Sequence, residues 1–224
     1  MIDRLKQWYA DEREKLTGLP RQDRIRYIWD YYKLYLIALA ALLLIGGTTA
    51  WHLATTPAEN WFFACFANTT ANLGEGSSFY EGFAGYAGYD LREKNLLFED
   101  QIFCQPSDKT VGNTYYELLV AYLDAGTLDV VLMGEEDLVA LGETGRLLDL
   151  RDERTATLCE TYDGRLVYCT SSEGEEIPVG IDLSDTPLAG TAYGGDCVLG
   201  VSANVPHPDQ VPVFLSYLLE EGAS

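Results

Sequence analysis

The stretch from Leu34 to Leu53, LYLIALAALLLIGGTTAWHL, divides the chain into two parts and decides what fold is expected on each side. It holds twenty residues without Asp, Glu, Lys or Arg. A helix of that length measures about 30 Å, the thickness of a bilayer's hydrocarbon core. A helix buried in a protein core would be shorter and amphipathic. The stretch therefore predicts one N-terminal transmembrane helix over residues 34–54.

Basic residues flank this segment on its N-terminal side. Arg21, Arg24, Arg26 and Lys33 precede it, whereas the next basic residue after it is Arg92. Lys and Arg near a membrane segment stay in the cytoplasm, so the N-terminus is predicted to lie inside the cell and the C-terminal part outside. The preceding region is too long for the n-region of a cleaved signal peptide, which favours an uncleaved signal anchor.

This topology predicts three regions for a single-pass protein of the cell membrane. Residues 1–33 form a cytoplasmic juxtamembrane helical segment, residues 34–54 the transmembrane helix and residues 55–224 an extracellular domain. Within the first region, residues 2–17 read as an amphipathic helix that either lies on the inner leaflet or is simply solvated. The 170 residues of the outer region are enough for one domain with its own core.

Charge separates the two sides of the membrane segment. Residues 1–33 carry 8 basic and 6 acidic side chains, whereas residues 34–224 carry 7 basic and 29 acidic ones. Such an acidic surface repels nucleic acid, so a nucleic-acid partner is excluded. It favours solubility, and it would also attract cations or basic partners.

The five cysteines do not form a metal or redox motif. No CxxC pair occurs, which excludes zinc-ribbon and thioredoxin-type sites. Cys65, Cys104 and Cys197 lie in apolar runs and are expected to be buried. Cys159 and Cys169 flank a predicted hairpin turn, and the sequence leaves open whether they form a disulfide.

Strand and helix patterns alternate through the first hundred residues of the outer region. Apolar runs bounded by turn and capping residues predict strands at 61–67, 97–105 and 128–133, each followed by a helix, at Ser77 or Ser78 onward, at 113–124 and at 135–141. This alternation predicts an α/β domain with a mostly parallel sheet flanked by helices. Gly82, Gly85 and Gly88 recur in the first of these helices, which suggests close packing on a sheet.

The pattern changes after Arg151. Short strands are predicted at 166–170, 177–183 and 197–203, and a final helix is predicted from Pro208 or Asp209 to Glu220.

Two motif stretches resemble the extracellular solute-binding proteins of ABC importers, which have the type 2 periplasmic-binding fold. The first is Asp129-Val-Val-Leu-Met133 with Gly145-Arg-Leu-Leu-Asp-Leu150, and the second is Val198-Leu-Gly-Val-Ser-Ala-Asn204 with Val213-Phe-Leu-Ser-Tyr-Leu218. The entry to the membrane segment, Tyr27-Ile-Trp-Asp-Tyr-Tyr-Lys33, resembles that of uncharacterised membrane proteins from Gram-positive, clostridia-like bacteria. Members of the solute-binding family are longer, and their ligand closes between two lobes. This chain has room for about one lobe.

The resemblance implies a ligand cleft at the carboxyl ends of the strands, as in open α/β sheets generally. The candidate ligand-binding residues are Asn68 and Thr69 after the first strand, and Gly134 and Glu135 after the third. Tyr193, in the predicted loop Gly190 to Gly195, would offer a ring for stacking. Each of these residues also has a plain interpretation as an ordinary loop residue.

The chain lacks the motifs of common enzymes, so no catalytic residue, metal ligand or cofactor is predicted. Neither HExxH nor GxSxG nor a Walker A sequence occurs, and the two histidines are His52 and His207. Two functions stay open. The outer domain either binds a small solute or assists an ABC importer, or it is a structural or regulatory protein-interaction module at the cell surface. The partners expected are the lipid bilayer and a small-molecule solute, a membrane transporter or another membrane protein.

The predicted topology gives a first test. Protease added to intact protoplasts is expected to remove the domain of residues 55–224 while residues 1–33 stay protected inside, because the basic flank holds the N-terminus in the cytoplasm. Immunoblots against tags at the two ends measure this outcome. Protection of the C-terminal tag until the membrane is lysed would overturn the orientation.

Overall fold

The computed structural model describes residues 20–55, 60–108 and 113–220. The chain forms two compact units, Met1–Thr56 and Pro57–Ser224. The helix predicted over residues 2–17 lies outside the described residues.

The first unit contains one long helix, α1 (Arg21–Thr55), of 35 residues. It begins at Arg21 and continues without a break through the predicted membrane segment. Large hydrophobic side chains along it are exposed, with Leu34 at 73%. Among the described residues, no helix combines the length and the hydropathy that crossing a membrane requires. The predicted segment extends to Leu53, whereas the continuous run of described side chains in α1 covers residues 33–49, so the transmembrane helix stays a prediction.

The second unit is built on a six-stranded mixed sheet. The strands lie in the order β2-β1-β3-β6-β5-β4. Their bounds are β1 Asn60–Phe66, β2 Asn95–Glu99, β3 Val130–Met133, β4 Leu166–Thr170, β5 Glu176–Asp182 and β6 Val198–Val201.

The expectation of a mostly parallel sheet is wrong for half of this sheet. Strand β1 pairs in parallel with β2 and β3, but β6 runs antiparallel to both β3 and β5, and β4 runs antiparallel to β5. The physical reason is the change of connection after Arg151. A short turn joins β4 to β5, and such a hairpin reverses the chain, whereas parallel neighbours need a long crossover.

Helices cover both faces of the sheet. They are α2 Ser78–Ala87, α3 Thr114–Asp124, α4 Glu135–Gly142, α5 Ala156–Thr161, α6 Pro187–Ala192 and α7 Val211–Glu220. Helices α2, α5, α6 and α7 pack on what we call the first face, and α3 and α4 pack on the second face. The sequence signals for α2 and α3 are confirmed in detail, because the side chains of Ser77 and Asn113 accept the hydrogen bonds that cap them.

Aromatic rings fill the first face. Phe62 of β1 contacts Phe83 of α2 and Phe214 of α7, with ring centroids 5.8 and 5.0 Å apart. Phe66 lies 5.1 Å from Phe98 of β2. These tilted and edge-on contacts add to the burial of apolar area and fix α2 and α7 to the sheet.

The second face depends on a pair of glycines beneath one leucine. Gly180 of β5 and Gly200 of β6 lie opposite each other, and Leu138 of α4 packs on both. A Cβ atom added at Gly180 would lie 2.5 Å from Leu138 Cδ2 and 2.7 Å from Val198 Cγ1. Two residues without side chains therefore let α4 approach the sheet closely.

Several predicted details need correction. The strand predicted at 97–105 ends at Glu99. Of the recurring glycines in α2, Gly82 does make a close approach, but to Tyr217 of α7 rather than to a sheet, and Gly88 is the left-handed cap that ends the helix. The predicted glycine loop from Gly190 overlaps helix α6, whose first turn is set by Pro187.

The five cysteines are free thiols. Cys159 packs against the core of the first face, whereas Cys169 is buried in the core of the second face. The sheet lies between these two cores, so the pairing that the sequence left open does not form.

Replacing Gly180 with Ala is expected to lower the free energy of unfolding by about 1–3 kcal/mol, because the new methyl group overpacks Leu138 and Val198. Urea unfolding of the full chain in detergent, followed by circular dichroism, measures this loss.

The matched control is Gly190→Ala in α6, where an added Cβ atom meets nothing within 4 Å. This change is expected to be neutral or to stabilise by up to about 1 kcal/mol, because Ala is the better helix former. Equal stability of the Gly180→Ala variant and the wild type would contradict the close packing of α4.

Candidate functional site at the carboxyl edge of the sheet

The carboxyl ends of β1 and β3 lie side by side, because these two strands are parallel neighbours. The chain leaves β1 for α2 on the first face and leaves β3 for α4 on the second face. Such a point, where connections diverge to opposite faces, opens a crevice in α/β sheets and is their usual binding position. All five predicted site residues lie at or beside this point.

Asn68 follows β1, and the fold itself uses its side chain. Its Nδ2 donates to the carbonyl oxygen of Cys104 at 2.6 Å, and its Oδ1 accepts the N–H of Cys104 at 2.9 Å. Its backbone φ is +61°, a left-handed conformation that Asn tolerates better than most residues. Asn68 therefore fastens the segment after β2 to the end of β1, which explains its presence without a ligand.

Thr69 is buried and turned toward α6. The carbonyl oxygen of Ala192, at the end of α6, accepts the Thr70 N–H at 3.0 Å and lies 3.5 Å from the Thr69 hydroxyl. The Thr69 Oγ1 also accepts the N–H of Ala71 at 3.2 Å. The loop after β1 is thus closed against α6.

Gly134 and Glu135 lie at the start of α4. Asp196, which comes just before β6, covers them. Asp196 accepts the Glu135 N–H at 3.0 Å, and a Cβ atom at Gly134 would lie 2.8 Å from its Oδ2. Glu135, Glu136 and Asp137 crowd the first turn of the helix. An anionic ligand would meet four carboxylates here, so this helix N-terminus is already occupied.

Tyr193 lies across the carboxyl end of β3 and closes the crevice there. Its hydroxyl donates to the carbonyl oxygen of Leu132, the third residue of β3, at 3.4 Å. Burial raises the pKa of this phenol well above its usual value, which keeps it neutral. The ring is packed against the core of the first face rather than presented as a stacking surface.

The segment from Ala192 to Asp196, the crevice segment, therefore fills the position at which an open α/β sheet would take a ligand. Sequence reasoning missed Asp196. The signal available for it was indirect. The first N–H groups of a helix have no partner within the helix, and Gly134 has no side chain that could accept them, so an acceptor from elsewhere in the chain was to be expected.

Open clefts lie elsewhere on the described surface of the domain, and two of them are large enough to consider. One has a volume of about 380 Å³ and lies between the loop after β2 and α4; Gln105, Asp108, Tyr116, Glu143 and Thr144 are among its lining residues. The other, of about 430 Å³, lies between the start of α2 and α6. None of the five predicted residues lines either of these two clefts.

A buried acid lies at the opposite, amino edge of the sheet. Asp129 accepts hydrogen bonds from the backbone N–H groups of Phe63 and His207, both at 2.8 Å, and its Oδ2 lies 3.1 Å from His207 Nδ1. Burial raises the pKa of Asp129, although these three donors oppose the shift. His207 lies in a Pro-His-Pro turn, and no role was predicted for it.

An Asp–His pair can orient an imidazole for catalysis, but only a nucleophile bonded to the other ring nitrogen would complete such a site. In the described part of the chain, no Ser, Thr or Cys side chain bonds to His207. The pair is best explained as a structural tie between β1, β3 and the turn at His207. Across the described residues, no group of three or more His, Cys, Asp or Glu side chains is arranged to hold a metal ion.

Comparisons of the chain with protein-family models, with curated proteins and with solved structures found no match. The resemblance to extracellular solute-binding proteins therefore rests on the sequence motifs alone and stays a prediction.

The two hydrogen bonds between the Asn68 side chain and the Cys104 backbone give a stability test of this edge. Asn68→Ala is expected to lower the free energy of unfolding by about 2–4 kcal/mol, because the Cys104 backbone loses both partners and Ala must adopt a positive φ. Urea unfolding at neutral pH measures the loss.

Asn68→Gly is the matched control. It removes the same two hydrogen bonds but adopts φ of +61° without a steric penalty, so it is expected to recover about 1–2 kcal/mol relative to the Ala variant. Equal stability of the Ala and Gly variants would show that the left-handed backbone costs nothing at this position.

Proposed function

We propose that the chain is a membrane-anchored, non-enzymatic protein-interaction module whose α/β domain binds a protein partner at the cell surface. One observation carries this proposal: the crevice at the carboxyl edge of the sheet is filled by the crevice segment of the same chain. Tyr193, Asp196 and the carbonyl oxygen of Ala192 satisfy the groups that a small ligand would otherwise contact. A solute would have to displace them.

The single sheet gives further support. A ligand held in the manner of two-lobed solute-binding proteins needs a second lobe to close on it. Residues 57–224 form one compact unit with one six-stranded sheet in the described part. Surface recognition of another protein requires no closure.

The anchor is part of the proposal. It is supported by the twenty uncharged residues from Leu34 to Leu53 and by the exposed leucine and isoleucine side chains of α1 between Leu34 and Ile45. Apolar side chains exposed in this number along one helix need a lipid or protein environment. In this arrangement residues 1–33 lie in the cytoplasm and the α/β domain lies outside the cell membrane.

A solute-binding module is the second candidate, and the 380 Å³ cleft favours it. That volume falls within the usual range of small-molecule sites, and the side chains of Gln105, Asp108 and Glu143 supply polar groups there. A small polar solute would find hydrogen-bonding partners in this cleft, and an importer-associated protein would pass it on.

Thermal unfolding of the full chain in detergent separates the two candidates. Sugars, amino acids, short peptides, polyamines and metal ions are added singly, and the interaction proposal expects no shift of the melting temperature. A solute at about 100 times its dissociation constant would stabilise the fold by roughly 2.7 kcal/mol. A saturable shift of that size would contradict the interaction proposal and support the solute-binding one.

The Gly180→Ala variant calibrates this assay, because its expected loss of stability is similar in size to the effect of a ligand. Crosslinking in intact cells tests directly for a protein partner. The proposal expects the domain to be trapped with a protein partner, and recovery of the uncrosslinked monomer alone would overturn it.

A further inference from the structure

Strand β4 lies at the edge of the sheet opposite β2, and among the described strands it pairs with β5 alone. Its five residues, LVYCT, include no charged residue and no proline. The bulge in this strand pair lies in β5, where Val179 is the extra residue. Charges, prolines and bulges are common means by which proteins block an edge strand against further pairing. Strand β4 itself carries none of the three.

The outward backbone groups of β4 belong to Tyr168 and Thr170. Along an antiparallel pair, residues whose N–H and C=O groups face the partner strand alternate with residues whose groups face away. At the turn between the strands, the Ser171 N–H donates to the Glu175 carbonyl oxygen at 2.8 Å. Cys169 therefore also faces β5, and the backbone groups of Thr170 and Tyr168 point outward.

Pro178 of β5 gives an independent check of this alternation. It lies opposite Tyr168 and has no N–H, and its carbonyl oxygen accepts the Leu150 N–H at 2.8 Å. No described residue bonds to the backbone N–H and C=O groups of Tyr168 and Thr170. Both side chains are exposed on the first face, with Tyr168 at 44%. The edge thus offers four backbone groups to a further strand.

Acidic side chains surround this uncharged strand. Glu173 lies in the turn that follows β4, and Glu176 is the first residue of β5. On the second face Glu143 lies beside Cys169 of β4, because a Cβ atom at the preceding Gly142 would lie 2.9 Å from the Cys169 Sγ. We call the three exposed carboxylates of Glu143, Glu173 and Glu176 the acidic rim.

The basic side chains of this part of the domain are already used elsewhere. Residues 113–220 carry 20 acidic side chains and 4 basic ones, all of which are arginines. Each arginine forms an ion pair with a carboxylate outside the acidic rim. The pairs are Arg146 with Asp124, Arg151 with Asp149, Arg154 with Asp152 and Arg165 with Asp185. Within residues 113–220, no Lys or Arg side chain is left to neutralise the rim.

We propose that a basic, extended segment of a protein partner adds to β4 as a seventh strand of the sheet. Main-chain hydrogen bonds to Tyr168 and Thr170 supply affinity, and the acidic rim selects Lys and Arg side chains on the added strand. The exposed ring of Tyr168 offers such a side chain a cation–π contact. The proposal rests on the proposed function as a protein-interaction module and gives the chemistry of its partner.

The same charges disfavour a second copy of this chain as the occupant. The β4 strand of another copy would bring its own acidic rim to the edge, and like charges across an interface are unfavourable. Within residues 113–220, it would also bring no unpaired Lys or Arg to offset them. A partner segment rich in Lys or Arg meets no such repulsion.

Binding of a synthetic strand tests the proposal. The probe is a fluorescent peptide of alternating lysine and valine, about eight residues long, which is an ordinary strand length. Fluorescence anisotropy with the full chain in non-ionic detergent measures its Kd. We expect saturable binding that weakens with added salt. The same peptide with glutamate in place of lysine is the control, and equal binding of the two, or binding of neither, would overturn the proposal.

The sharpest variant removes one outward donor. Thr170→Pro deletes the N–H that faces away from β5, a position at which an edge strand accepts proline. The Kd of the lysine peptide is expected to rise at least about tenfold, because one hydrogen bond is lost and the ring blocks the approaching strand.

Thr170→Ala is the matched control, because it removes the side chain and keeps the N–H. Its Kd is expected to stay within about threefold of the wild type, since the main-chain bond is unchanged. Circular dichroism checks that both variants are folded. The same Kd for the Pro and Ala variants would show that the peptide does not pair with β4.

A pair of charge reversals tests the acidic rim separately. Glu173→Lys combined with Glu176→Lys is expected to raise the Kd by about fivefold or more, because attraction becomes repulsion. Glu81→Lys combined with Glu117→Lys gives the same net charge on α2 and α3, which pack against β1. Equal weakening by the two double variants would assign the binding to overall charge and overturn the site.

A cysteine at the edge tests for a second copy. Tyr168→Cys in the full chain is treated with a mild oxidant without peptide, and the wild type accounts for the native cysteines. No more covalent dimer than in the wild type is expected. A disulfide-linked dimer as the main product would assign this edge to another copy of the chain, against the proposal.

The outcomes also separate this inference from the proposed function. If Thr170→Pro leaves the Kd of the lysine peptide unchanged while crosslinking in cells captures a protein, strand addition at β4 is overturned and the interaction module stands. If Thr170→Pro abolishes peptide binding while a sugar or amino acid still shifts the melting temperature of that variant, strand addition is supported and the module's proposed role is overturned.

Discussion

The buried carboxylate of Asp129 holds together the part of the sheet on which the other elements depend. It accepts two backbone N–H groups, from Phe63 in β1 and from His207, and it meets the ring of His207 as well. A buried charge is tolerated only with such partners, because desolvation costs several kcal/mol when the charge is left alone. Asp129 thereby fixes β1 beside β3. The divergence of α2 and α4 to opposite faces follows from that pairing, and so does the crevice at the carboxyl edge.

The crevice is a binding position whose occupant belongs to the same chain. Open α/β sheets leave this point free because neighbouring connections turn away from each other. Here the crevice segment crosses this gap just before β6. Its Asp196 carboxylate, Tyr193 hydroxyl and Ala192 carbonyl group make hydrogen bonds with the ends of β1 and β3 and the residues that follow them. The fold gains hydrogen bonds and loses its most accessible internal site. The proposed protein partner would then bind the outer surface, where exposed apolar side chains include Leu97 and Tyr168 on the two edge strands.

Local signals predicted the elements whose formation is itself local. Ser77 and Asn113 cap the helices that they were expected to begin, and the apolar run at Trp61 forms β1 with one residue of difference at each end. The candidate residues also cluster as expected, since the ends of parallel neighbours must meet at one edge. The side chains of Asn68, Thr69 and Tyr193 and the backbone N–H of Glu135 proved to be engaged, and the sequence offers no local trace of that. The bonds of Asn68 to Cys104 and of Glu135 to Asp196 join residues 36 and 61 positions apart.

Sheet order was beyond prediction for the same reason. Strand β6 reads as an apolar strand like β3, and only its position between β3 and β5 makes it antiparallel to both. The glycines from Gly190 to Gly195 predict a loop where α6 forms, because their number outweighs the start signal of Pro187. In the folded protein the Thr186 side chain caps the helix by accepting the Ala189 N–H, and burial of Leu188, Ala189 and Ala192 stabilises it.

The central place of β6 has a consequence for how the domain is made. This strand comprises residues 198–201, yet it separates β3 from β5 in the finished sheet. During synthesis the ribosome delivers β1 to β5 first, and for that interval β3 and β5 each have a side awaiting the same late strand. The sheet closes only when β6 has been made. Such long-range pairing slows folding and exposes strand edges to wrong partners. A nascent chain that stalls or is cut before residue 198 is thus left with β3 and β5 unjoined, which makes the arrival of β6 the step that commits the domain to its fold.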